Sequence, residues 1–189
     1  MASLTTADVN ADLDMLTNTF SSGKRIIPSN TDLLKACFYV PAISVLLSLL
    51  STFSIFCFEF AQEMSLSHYW DFLMTDGWAV ILPTAIIGLF FAFMAYNNLI
   101  MYMTIPAEVR GKSLILSHLK RVVQKTVFLF LTFMFISSVT AGFVPWFAFG
   151  VPALEFALLF VINIVIGSEV NRLGAGVALE KVSALLKKI

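Results

Sequence analysis

The chain has 189 residues, of which 59% are hydrophobic and only 13% are charged. That is too little charge to cover a water-facing surface, since soluble domains are about a quarter charged; lipid is the expected solvent for much of the chain, and the 19 Phe suit acyl chains. The net charge is zero with no strongly basic face, which argues against direct nucleic-acid binding.

Residues 1–23 lack the basic n-region and apolar h-region of a signal peptide, so insertion is expected to rely on an internal apolar segment. Residues 4–20 instead predict a short polar helix, with Val9, Leu13, Leu16 and Phe20 on one stripe. It lacks the basic face that favours anionic lipid; the membrane surface, the cytosolic loops and a partner are all open as its support. Ser29 followed by Asp32 reads as a capping box. It opens a first span that is apolar from Leu33 to Phe58, with Lys35 close enough to its start to snorkel and Pro41 inside it. Cys37 and Cys57 are twenty residues apart on this segment, about 30 Å along a helix and too far to pair.

Residues 59–77 read as a polar loop holding Glu59, Glu63, His68, Asp71 and Asp76, with Tyr69, Trp70 and Trp78 suited to an interfacial belt. A second span follows from Trp78 to Tyr96 or Tyr102. Residues 104–125 form a basic segment, broken by Pro106 and Gly111, in which a helix begins near Ser113 and feeds the third span. Val144–Gly150 reads as a short turn, and a fourth span begins near Pro152. The predicted fold is an all-α membrane protein. A cytosolic N-terminal segment (1–32) carries a short helix, a four-helix transmembrane bundle spans 33–170, and a cytosolic C-terminal segment (171–189) forms a further helix. The spans are placed at about 34–58, 78–102, 126–146 and 152–170. Every Lys and Arg falls in the N-terminal segment (with Lys35 just inside the first span), the central loop or the tail, and none in the two opposite loops. The positive-inside rule therefore puts the N-terminus, central loop and C-terminus in the cytoplasm.

Chemistry-bearing residues are sparse. Arg110-Gly111-Lys112-Ser113 resembles the tail of a phosphate-binding loop, but Pro106 occupies the position of the loop's first Gly and has no amide hydrogen to offer, so nucleotide binding is not expected. His68 with Glu59 and Glu63 has no two-ligand helical spacing, and His118 stands alone among basic residues, so no metal is expected. No catalytic set and no cofactor site is expected. Glu155 is the intramembrane ionisable candidate. Three residues after Pro152, it is placed in a first helical turn near the interface, where the macrodipole favours a carboxylate. Asn163, deeper in that span, is expected to hydrogen-bond another helix. Small residues at helix-packing spacing are the other candidates: Ser44, Ser48 and Thr52 on span one; Thr84, Gly88 and Ala92 on span two; Ser138 and Gly142 on span three; Ala153 and Ala157 on span four.

A short acidic leader, then Ser22-Gly23-Lys24-Arg25-Ile26-Ile27-Pro28-Ser29 before the first span, then a Phe-rich polytopic body, resembles the TraS-type entry-exclusion proteins of F-like conjugative plasmids. That resemblance implies a bacterial inner-membrane protein that recognises a donor-cell conjugation protein and blocks redundant DNA entry; it carries over no functional residues. Immunity proteins against pore-forming colicins share size and topology without a quotable motif. The residues themselves leave open recognition of a partner, a small channel or transporter subunit, or an assembly subunit of a larger membrane complex. Membrane lipid and another membrane protein are the expected partners, with a homo-oligomer also open. Partner specificity is expected in 59–77 or 104–125.

Overall fold

A computed structural model describes residues 6–21, 26–60 and 65–172. All regular structure among them is helical. Helix α1 runs Thr6–Ser21, α2 Asn30–Glu59, α3 Leu66–Phe72, α4 Trp78–Thr104, α5 Ala107–Lys112, α6 Leu114–Thr140 and α7 Gly150–Arg172. A π turn at Leu73–Gly77 joins α3 to α4, and a 3-10 turn at Pro145–Phe149 leads into α7. Among the described residues, four stretches are long and apolar enough to cross a membrane: Asn30–Glu59, Leu66–Thr104, Leu114–Thr140 and Pro145–Arg172. The chain thus has the make-up of a multi-pass membrane protein.

The four long helices pack around a ring in the order α2, α4, α7, α6, and α2 also touches α7 across the diagonal. The arrangement follows from where the small side chains fall. Ser44, Ser48, Ser51 and Thr52 recur on one face of α2 and are all buried, as are Thr84 and Gly88 on α4 and Ser137 and Ser138 on α6. Lipid offers no hydrophobic drive between helices, so close backbone approach and interhelical hydrogen bonds hold such bundles together. The large apolar residues go the other way, with Phe53, Phe90, Phe93, Phe128 and Phe160 all turned outward.

The opposite ends of the bundle differ. At one, Phe56 contacts the rings of Phe60, Tyr69 and Phe72, while Trp70, Trp78 and Trp146 are exposed, as in an interfacial aromatic belt. At the other, where α4 passes through α5 into α6, lie Arg110, Lys112, Lys120, Arg121 and Lys125. Helix α1 docks at this basic end. Leu16 packs with Ile105 and Leu116, and Val9 and Leu13 are buried with it.

Several local expectations change. Residues 66–77 are helical and continuous with α4, so only the segment up to Ser65 connects the first two long helices. Ser65 accepts a hydrogen bond from the His68 backbone amide and starts that helix. Ser29 does occupy the N-cap of α2, but its side chain makes no capping bond, so the predicted box is not formed. Helix α6 stops at Thr140, short of the predicted span end at 146, and α7 starts at Gly150, before Pro152. Most of the predicted C-terminal helix, 173–189, and the Lys24-Arg25 pair lie outside the described residues.

Candidate functional site

The most polar part of the bundle interior is a row of hydroxyls along α2, faced from the other helices by Thr84, Ser138 and Glu155. Ser48 and Thr84 are 2.7 Å apart. Thr84 directs its proton to the Val80 carbonyl at 2.8 Å, which leaves Ser48 as the donor between the two. Ser138 Oγ lies 2.9 Å from both the Leu47 and Met134 carbonyls, so its single proton ties α6 to α2 as well as to its own preceding turn. Nearer the aromatic end, Thr52 donates to Leu49 O at 2.9 Å, and Tyr69 OH lies 3.2 Å from its Oγ1.

Glu155 lies beside the Ser44 end of this row with 0% exposure. It is not in the first turn of its helix: α7 begins at Gly150, and the first turn carries no acidic residue. The carboxyl group is instead enclosed between α7, α2 and α4. A methyl placed on Gly88 would fall 3.0 Å from Pro41 Cβ and 3.1 Å from Glu155 Oε1, so glycine at 88 is what allows the carboxyl group to fit there. Ser44 lies beside the carboxyl, yet its hydroxyl is directed toward Met134 Sδ at 3.8 Å. Apart from the neighbouring Ser44 hydroxyl, neither Glu155 oxygen has a hydrogen-bond partner among the described residues, and Ser51 Oγ is likewise buried without one. Buried polar groups are paired as a rule, and an orphan costs about 1–3 kcal/mol. Such a group inside a span points to a role beyond packing.

The other candidates divide. Ser44, Ser48, Thr84, Gly88, Ala92 and Ser138 are all buried between helices. Gly142 is a contact point too, since a Cβ there would lie 2.5 Å from the Phe58 ring and 3.1 Å from the Ser54 carbonyl. Asn163 is a correction. It is exposed on the outer face of α7 and donates to Leu159 O of its own helix at 2.8 Å. Ala153 is exposed as well; the buried face of α7 is Val151, Pro152, Glu155, Leu158 and Leu159.

Two arrangements at the basic end were not anticipated from single residues. Asp12 of α1 accepts hydrogen bonds from Ser113 Oγ at 2.8 Å and the Ile115 amide at 2.9 Å. Ser113 in turn accepts from the Leu116 amide, so a buried carboxylate and a hydroxyl together satisfy the first free amides of α6. The positive end of the helix macrodipole favours the charge placed there. His118 Nε2 lies 3.0 Å from Glu169 Oε2, and Arg172 lies 2.9 Å from the same oxygen, joining the start of α6 to the end of α7. Among the described residues no group of His, Cys, Asp and Glu is placed to hold a metal ion, and both cysteines are free thiols. No family model, curated protein or solved structure matches the chain.

Proposed function

We propose that this is a non-catalytic recognition protein of the bacterial inner membrane, with both termini and the 104–125 segment in the cytoplasm, and that its activity is conjugative exclusion through contact with a donor conjugation protein. One observation carries the recognition reading. Asp12 fastens α1 to Ser113 and Ile115, making the leader and the central segment one folded surface at the basic end. A leader held this way by a buried carboxylate, with a basic segment beside it, suits contact with another protein. The resemblance around residues 22–29 supplies the more specific part, exclusion.

The test is conjugation frequency into recipients that express the chain, with donors carrying F-like and unrelated plasmids. A large drop for one plasmid type, relieved by Asp12→Ala at unchanged membrane abundance, is the expected result. Unchanged frequency for every F-like donor overturns exclusion.

A second reading, a small channel or transporter subunit, is favoured by the unpartnered carboxyl of Glu155 among the hydroxyls of α2 and α4. Glu155→Gln separates the two. Loss of activity with Glu155→Gln but not with Asp12→Ala supports the transport reading, and the reverse supports recognition.

A further inference from the structure

Where α4 ends and α6 begins, α5 bridges the two and leaves a cleft of about 600 Å³. Arg110, Lys120 and Arg121 supply three cations to its wall, Ser117 and Gln124 add neutral hydrogen-bonding groups, and no Asp or Glu among the described residues lines it. The Arg110 guanidinium carbon lies 4.9 Å from the centre of the Tyr102 ring, a cation–π contact that holds the side chain at the cleft wall, and its buried Nε has no hydrogen-bond partner among the described residues. A guanidinium held at the wall by an aromatic ring and flanked by two further cations matches the oxygens of a phosphate group.

Position in the bundle says what bears that phosphate. Helix α6 has 27 residues, about 40 Å of helix against a hydrocarbon core of roughly 30 Å. Its basic first turns thus have length to spare and fall at the level of lipid headgroups. From Gln124 the same face of α6 continues through Phe128, which is 73% exposed, to Phe135, which is also exposed. A charged cleft that opens along one helix face onto an uncovered apolar strip has the layout of a phospholipid, with its headgroup in the cleft and its chains along the helix.

We infer that this cleft is a binding site for one anionic phospholipid, its phosphate held by Arg110, Lys120 and Arg121 and its acyl chains lying on the Phe128 face of α6. Basic pockets between helices at the positive side of a membrane recognise such headgroups. The site is independent of the exclusion reading, because it concerns lipid and not the donor protein.

The experiment is native mass spectrometry of the full chain in nonionic detergent, titrated with phosphatidylglycerol or with phosphatidylcholine of the same chains. Phosphatidylglycerol is expected to be retained in preference, at one copy. At roughly fivefold for each lost cation, the R110Q/K120Q/R121Q variant is expected to retain it about a hundredfold less well. The K120Q/R121Q pair, which leaves the Tyr102 stack in place, guards against a folding defect and should lose about twenty-five-fold by the same reckoning. The K112Q/K125Q control removes two cations that do not line the cleft and should bind as the parent does. Equal retention of the two lipids, or equal loss in the control pair, overturns the proposal. Glycerol phosphate separates headgroup from whole lipid: if it competes at the concentration of phosphatidylglycerol, and Phe128→Ser leaves lipid retention intact, the occupant is a soluble phosphate and the lipid assignment falls.

Discussion

Glu155 shows how a single side chain sets the character of this bundle. A carboxyl group with both oxygens unpartnered in a close-packed interface works against folding, and an apolar replacement of similar size removes that cost. Glu155→Met is therefore expected to raise the stability of the purified protein by about 1–3 kcal/mol, read from thermal or denaturant unfolding in detergent. Lower stability would mean that the carboxyl has a partner in the folded, detergent-solubilised protein. Gly88→Leu should act in the opposite direction, because the added chain runs into Pro41 and Glu155 themselves. Glu155 was visible in the sequence as a lone acid within an apolar run. Its depth was not, because Pro152 suggested a helix start and the chain enters α7 two residues earlier. The outward direction of Asn163 was in principle legible. It lies eight positions after Glu155, about 80° beyond two full turns at roughly 100° per residue, so a residue buried at 155 leaves 163 turned well aside.

Helix α1 extends the point from side chains to elements. Its buried stripe, Val9, Leu13 and Leu16, was predictable from spacing alone, whereas its partner was not. Asp12 and Ser113 are 101 positions apart, and nothing local to either marks the other. Removing the Asp12 carboxylate leaves the Ile115 amide and the Ser113 hydroxyl without their acceptor at a buried helix start. Asp12→Ala is expected to loosen α1 by about 1–3 kcal/mol, seen as faster protease cleavage after α1 while the long helices stay protected. Asp12→Asn keeps an acceptor oxygen and should fall between the two. Undiminished protection in Asp12→Ala would show that Leu16 against Ile105 and Leu116 suffices to hold the helix. The same limit explains residues 66–77. Their polar composition reads as loop, but Ser65 caps a helix start and the π turn at Leu73–Gly77 carries the helix on into α4 without a break.

The polarity of the whole bundle rests on two features that do not depend on each other. Four membrane-length stretches among the described residues, an even number, would return the chain to the side on which it began if each crosses. Separately, the Lys and Arg of the sequence lie in the leader, just inside α2 at Lys35, in the central segment and in the tail, which are the parts that an even count puts on one side. Within the described residues the folding agrees: Ile26 N donates to Thr104 O at 3.2 Å, α1 docks on the start of α6, and His118 reaches Glu169, so the leader, the central segment and the end of α7 meet at one end of the bundle. Under the proposed topology, the positive-inside rule puts that end in the cytoplasm. Alkaline phosphatase fused after residue 63 should therefore be active, and fusions after 111 or 189 inactive. The two features are tested apart by replacing Arg110, Lys112, Lys120, Arg121 and Lys125 with Gln. If the charges set orientation, the central segment of that variant loses its cytoplasmic bias and the fusion at 111 gains activity; if helix number and packing set it, the pattern of the parent is kept. Activity at residue 189 in the parent chain would contradict the even count itself, and with it the four-span arrangement.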